Sequence, residues 1–288
     1  MKKWIFRIIF VLLLAVFIFS AVSLFMIYKQ YRVGRRAYDD AVSQFTLPAV
    51  PDDGQLLIDI SDLPAGQQPE QIQAMVVEAD SGKASIFPFE VDFEALKKIN
   101  DEIVGWIYCP GTPINYPLLK ADDNDYYLHR SYDRSYLFNG SIFVEARNQP
   151  LFLDSNTIIY GHNMRDGSMF EALENWQDPS FYETHPYILI FTPDQDYVVI
   201  LFSGYTTSAT SDSYQIFSGP GEELDAYLQS AVSQSDFSTS VELDPNAKYV
   251  MLSTCSYVFD NSRYVLHGML LPTGTAGGKP IDSEQVSP

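Results

Sequence analysis

Cysteine and histidine are scarce in this 288-residue chain: two cysteines, Cys109 and Cys255, and four histidines. Two thiols cannot build the multi-bridge framework of a small exported fold. They also sit in dissimilar settings, Cys109 before a Pro110-Gly111 turn and Cys255 among hydroxyl side chains, so no bridge between them is expected. Metal-ligand spacing is missing too: the acidic residues form no spaced set of the calcium-loop type, and neither a metal nor another cofactor is expected. No internal repeat is present. Positive charge is scarce beyond the N-terminus. Residues 1–36 hold seven of the 18 basic residues and none of the 37 acidic ones, so residues 37–288 carry 11 basic against 37 acidic groups, a net charge near −26. Such a surface repels nucleic acid and anionic lipid, which excludes a nucleic-acid partner, and it tolerates cationic partners.

One long apolar run is present. Residues 8–28 contain no charge and follow Lys2, Lys3 and Arg7. A bilayer core of about 30 Å needs roughly 20 apolar residues, so this run predicts an uncleaved membrane span; a cleavable leader would have a shorter apolar core and a small-residue cleavage site. Lys29, Arg32, Arg35 and Arg36 follow the run, so basic residues flank it on both sides and charge leaves its orientation open.

The remaining chain divides by composition. Residues 37–90, with Pro48, Pro51, Pro64 and Pro69 among Gly, Gln and acidic residues, read as a spacer, with some helix continuing through Tyr38 to Phe45. Residues 92–100 predict a short amphipathic helix with Asp92 as N-cap and Phe93, Leu96 and Ile99 as its stripe. Strand candidates follow at 104–108, 114–119, 140–145, 156–160, 187–192, 197–205, 248–254 and 263–271, rich in Ile, Val, Tyr and Phe and bounded by turn residues. Helices are expected over 167–176 and 221–232. The fold class is therefore mainly β, and many strands with short connecting helices predict a closed or nearly closed barrel over residues 91–272. An anchor covers residues 1–36, and the Gly-, Pro- and Ser-rich residues 273–288 read as a disordered tail.

Chemistry concentrates at the ends of strands. Cys255 ends strand 248–254 on the face of Tyr249, Met251 and Ser253, flanked by Thr254 and Ser256 in a polar rim. Arg263 opens the next strand eight residues later. His162 lies in a Gly161-His162-Asn163 turn after strand 156–160. A thiol nucleophile needs a neighbour that takes its proton, and an acyl-transfer oxyanion needs a fixed cation or backbone donor. Cys255, His162 and Arg263 supply these groups. His129, His185 and His267 are less suitably placed, and Cys109 reads as a small buried residue.

At these residues a resemblance appears. Leu252-Ser253-Thr254-Cys255, followed by Arg263 and preceded far upstream by the histidine turn, resembles the signature of the sortases, the cysteine transpeptidases of Gram-positive bacterial surfaces. The pieces Ile103-Val104-Gly105-Trp106, Ile114-Asn115-Tyr116-Pro117, Asn124-Asp125-Tyr126-Tyr127-Leu128 and Gly140-Ser141-Ile142-Phe143 make class B the nearest subfamily. Met251 stands where the family usually has threonine.

The resemblance implies an eight-stranded closed barrel with N-terminal helices, one preceding transmembrane helix, a cytoplasmic N-terminus and an extracellular catalytic domain. Cys255 would cleave a sorting signal of a secreted surface protein after threonine through a thioester. A cell-wall or pilin amine would then resolve that thioester, with His162 exchanging protons and Arg263 holding the carbonyl oxygen. The class B substrate groove carries over to Asn124 and Leu128 on one side, Thr210 and Tyr214 in the long loop, and Ser253 and Thr254 beside the nucleophile. Gln215 and Ser256 depart from the usual pattern and leave the signal preference open. Two other readings stand beside this one: a cysteine peptidase that only hydrolyses, and a surface-anchored binding domain without activity.

Overall fold

The structure, a computed structural model, describes residues 2–48, 56–57, 84–85 and 87–280. Eight strands form a closed barrel: β1 (Ile103–Tyr108), β2 (Asn115–Leu119), β3 (Ile142–Val144), β4 (Asn156–Tyr160), β5 (Tyr187–Phe191), β6 (Tyr197–Ser208), β7 (Lys248–Cys255) and β8 (Ser262–Pro272). Each coincides with a strand candidate of the sequence to within a few residues. Their order around the barrel is β6-β8-β7-β4-β3-β2-β1-β5, with β5 closing on β6. All neighbours are antiparallel except β4 with β7 and β2 with β3.

The parallel pair β4–β7 matters most. Its register sets Tyr160 opposite Ser253, so both strands leave the barrel at the same end. The antiparallel partner β8 begins at that end, with Arg263 directly opposite Cys255. The end of β4, distant in sequence, is thereby delivered to the same rim as the neighbouring end of β7 and start of β8.

Alternation along β7 divides its side chains between two apolar clusters. Val250 and Leu252 join a large core containing Trp106, Phe170 and Phe191. Tyr249 and Met251 join a smaller one with Phe202 and Val265, covered by Leu224 and Leu228 of a long connecting helix (Glu222–Gln234). Cys255 continues the second face.

The N-terminal helix, α1, runs unbroken from Lys2 to Phe45. Its first half is long and apolar enough to cross a membrane, with a mean hydropathy of 3.0 over its most apolar window, none of which is buried. Its second half packs on the barrel. Gly34, Tyr38, Ala41 and Phe45 are buried and Tyr31 is partly so, a stripe at helical spacing. At Gly34 a Cβ would stand 2.6 Å from the Asn139 side chain, which would have to shift to admit any larger residue. Tyr38 donates to the Gly140 carbonyl and shares a 3.0 Å hydrogen bond with Ser141.

This corrects the spacer expected from residue 37. Residues 37–48 belong to the folded body: α1 continues into a strand (Thr46–Pro48) that pairs with Phe89–Val91. Most of the intervening residues of that expected spacer lie outside the described residues.

The α2 helix (Phe93–Ile99) has the expected cap, Asp92 accepting from the Ala95 N–H at 2.9 Å. Two further expectations need correction. No α-helix spans 167–176, because Gly167 and Met169 adopt positive φ (83° and 61°); a 3-10 helix over Glu171–Gln177 and a short α3 (Pro179–Thr184) follow instead. Nor does disorder begin at residue 273. Thr275–Ala276 pairs with Lys279–Pro280, and the Gly277 and Gly278 N–H groups donate to the buried Asp196 carboxylate at 2.9 and 2.7 Å. Residues 281–288 lie outside the described residues.

Candidate active site

Cys255, His162 and Arg263 converge at the rim where β4, β7 and β8 meet, and all three are half-buried. Directly opposed residues of an antiparallel pair hold their Cβ atoms about 5 Å apart, which fixes the Arg263 stem beside the thiol. Nη1 of Arg263 donates to the Ser262 carbonyl at 2.9 Å, and the other donors of its fork have no partner among the described residues. The histidine turn is stitched to the nucleophile strand by two bonds: Gly161 N–H to the Ser253 carbonyl at 3.1 Å, and Asn163 Nδ2 to the Cys255 carbonyl at 2.7 Å. Gly161 is required there, since a Cβ would fall 2.5 Å from Ile142 and 2.6 Å from Phe170.

Nε2 of His162 lies 2.7 Å from the Leu128 carbonyl. A carbonyl only accepts, so this contact assigns the proton to Nε2 and leaves Nδ1 as the lone-pair nitrogen. The ring stacks on His129 with centroids 5.7 Å apart. Burial pushes the imidazole below its usual range; the Leu128 carbonyl opposes that shift and the charge of His129 adds to it. The shift favours the neutral imidazole, the form able to accept a proton.

A groove of about 380 Å³ runs from this rim. Cys255, His162 and Arg263 line it, together with five of the six expected substrate contacts: Asn124, Leu128, Tyr214, Ser253 and Thr254. Tyr214 and Ser253 share a 2.8 Å hydrogen bond across it. Thr210 is the exception. It sits on the exposed Ser208–Ser211 turn, its hydroxyl bonded to Ser208 at 3.1 Å, and Ala209 takes the lining position.

Sequence reasoning missed the far wall of the groove, built from Phe143, Tyr160 and Arg147 around a buried Glu145. Burial alone would raise the Glu145 carboxyl, but hydrogen bonds from Arg147, Asn124 and Tyr160 outweigh it and hold the group at about 2. Arg147 Nε donates at 2.9 Å and the Tyr160 hydroxyl at 2.8 Å. Asn124 also accepts from the Ala146 N–H at 2.8 Å, so this charged pair fixes a groove residue. The only sequence signal was Glu145-Ala146-Arg147 closing an otherwise apolar strand. Asn163 was likewise seen as part of a turn and not as the clamp on Cys255.

The second cysteine is inert by its surroundings. Cys109 is fully buried after β1, and burial pushes its thiol up to about 12. Both thiols are free.

No family model matches the chain. It is 40% identical over 180 residues to sortase B of Listeria monocytogenes, covering 61% of this chain and 72% of that protein. It is 34% identical over 170 residues to sortase B of Staphylococcus aureus, covering 59% and 70%. The S. aureus sortase B–substrate complex superposes with a TM-score of 0.59 at 30% identity, covering 70% of this chain and 94% of that one. A sortase B complexed with triglycine gives 0.58 at 33% identity, with the same coverages. Identity of this extent over more than two thirds of each curated relative, on a barrel that brings a thiol, an imidazole and a guanidinium to one rim, leaves one assignment: the chain belongs to the class B sortases, a family of cysteine transpeptidases.

Proposed function

We propose that this chain is a membrane-anchored transpeptidase that cleaves a C-terminal sorting signal after threonine and transfers the upstream protein to an amine. The observation that carries this reading is the opposition of Cys255 and Arg263 across β7 and β8, with the His162 turn clamped to the same strand end. In the first step Sγ of Cys255 attacks the threonine carbonyl and its proton passes to Nδ1 of His162. The oxyanion is held by the free donors of Arg263, a fork suited to an oxygen that gains charge. Collapse breaks the peptide bond, the imidazolium protonates the leaving amine, and a thioester remains on Cys255. An incoming amine then loses a proton to His162 and attacks the thioester carbonyl; the C–S bond breaks, the amide product leaves, and the Cys255 thiolate takes the proton back from His162.

The groove from Cys255 to Asn124 would hold the residues preceding the threonine, a short Asn-Pro or Ser-Pro type signal. The acceptor would be a cell-wall or pilin amine, in line with the triglycine held by a relative. Residues 8–28 would anchor the enzyme with its N-terminus in the cytoplasm and the barrel outside.

Product analysis tests this reading. Protein beginning at Lys29, which keeps the packed half of α1, is incubated with a panel of signal peptides. Cleavage after threonine is expected, and added oligoglycine or a diamino-acid peptide should shift the product from acid to amide. Hydrolysis alone across a broad amine panel would move the assignment to a peptidase, and no cleavage of any signal would favour a binding domain.

A further inference from the structure

The α1 helix carries no break between its apolar half and its packed half, so it is a ruler. The apolar run ends at Tyr28. At 1.5 Å per residue, Tyr31 lies roughly 4.5 Å beyond that end and Phe45 about 25 Å beyond it. Tyr31 is also where contact with the barrel begins: its ring meets Phe138 edge-on, with centroids 6.0 Å apart. Phe138 is 36% exposed, and Tyr136, on the same hairpin, is 71% exposed. The hairpin closes through the Arg130–Tyr136 bridge and the Leu137 N–H bond to the His129 carbonyl at 3.0 Å.

If residues 8–28 span a bilayer, this hairpin cannot stand clear of it. The short reach from Tyr31 to Phe138 puts these aromatic rings at the depth of the lipid headgroups, where Tyr and Trp gather in membrane proteins because one end is apolar and the other wet. We propose that Tyr136 and Phe138, with Tyr28 and Tyr31, form an aromatic contact with the outer headgroup layer that rests the barrel on the membrane. The inference builds on the anchor assigned above. Arg32, which lies over the Tyr28 ring, and Lys29 stand at the same level to meet phosphates. The acidic charge of residues 37–288 opposes adsorption of a free domain, but the tether removes that choice, and the contact is confined to this edge.

The docked segment is the one that backs the catalytic histidine. The Leu128 carbonyl holds Nε2 of His162, His129 stacks on its ring, and Nδ1 of His129 lies 3.3 Å from the Phe138 carbonyl. Membrane contact thus bears on the strut of the site.

Depth measurement tests the contact. The full chain carrying Cys255→Ala is placed in lipid nanodiscs, and a single spin label is attached at Phe17→Cys, Tyr136→Cys or Leu47→Cys; Cys109 is buried and does not label. Tyr136 and Leu47 are exposed, so their replacement spares the core. Accessibility to oxygen relative to a water-soluble nickel complex should be highest at 17, several-fold above the position 47 value at 136, and lowest at 47, past the far end of α1. A label at 136 matching 47 while 17 reports bilayer core overturns the contact and spares the anchor. A label at 17 reporting water overturns the anchor, and the contact with it.

Discussion

The two cysteines stand at corresponding places and meet opposite fates. Cys109 directly follows β1, Cys255 is the last residue of β7, and each is free. Cys109 leaves β1 into the protein, its sulfur 3.8 Å from the Tyr187 carbonyl, and burial lifts its thiol to about 12. Cys255 leaves β7 into a groove, opposite a guanidinium and beside an imidazole turn. The strand ends are locally alike; the neighbouring strands are not. β7 runs beside a parallel strand that leads into a histidine turn and an antiparallel one with an arginine near its start, so topology decides which thiol meets an imidazole and a guanidinium.

The histidines repeat the contrast. His267 lies inside β8, fully buried, hydrogen-bonded to Tyr227 at 2.9 Å and stacked on Tyr205, and burial takes it down to about 3. His162, at a strand end, keeps one nitrogen free for proton transfer. Burial makes the first a packing residue; half-burial leaves the second free to serve as the base proposed above.

The largest effect should come from the nucleophile. Cys255→Ala should abolish cleavage and transfer of a signal peptide, because among the described residues no other thiol lines the groove. If Cys255→Ala turns over and folded Cys109→Ser does not, the comparison is reversed. Arg263→Lys should follow, lowering turnover about 10²–10³-fold, since a point charge does not reproduce the planar fork. Steady-state kinetics with folding verified by circular dichroism decides this, and a lysine variant close to wild type removes Arg263 from oxyanion binding.

The pair of histidines predicts a pH dependence of stability. Unfolded histidine titrates near 6.5, whereas folded His267 titrates at about 3. Between these values the unfolded chain binds a proton that the fold refuses. Stability is therefore full above the unfolded value and falls as pH drops from about 6.5 towards 3, by up to about 1.4 kcal/mol per pH unit. His267→Gln should flatten that slope in thermal melts across the window; an unchanged slope would assign acid sensitivity to other groups.

Smaller effects mark the groove wall. Tyr214→Phe removes one hydrogen bond to Ser253, worth about 0.5–1.5 kcal/mol, and should raise KM roughly twofold to tenfold with little change in kcat. A loss confined to kcat would place Tyr214 in the chemistry. Cys109→Ser should be the mildest change in turnover, with its cost appearing in the melting temperature.

The barrel was legible because its strands announce themselves by β-branched and aromatic residues between turn residues, and the three reactive residues because each sits at a strand end. What escaped depended on partners remote in sequence. Tyr38, Ala41 and Phe45 form a thin apolar stripe on a polar helix, which reads as spacer until the barrel surface is set against it. Gly277 and Gly278 suggested disorder, yet their positive φ aims two N–H groups at Asp196. Glu145 and Arg147 went unremarked because nothing in the sequence of one strand shows that Asn124 and Tyr160 close over the carboxylate. Thr210 failed in the other direction: the loop was placed, but which residue of its tip faces the groove depends on a turn held by Ser208.

The central claim is that Cys255, and not Cys109, carries an acyl intermediate that an amine resolves. The most direct measurement is peptide mapping by mass spectrometry after brief mixing with a signal peptide, with and without oligoglycine. The account predicts an acyl adduct on the peptide containing Cys255, sensitive to hydroxylamine and depleted by oligoglycine as amide product appears. An adduct on Cys109, or amide product from protein whose Cys255 is blocked by alkylation, would contradict it.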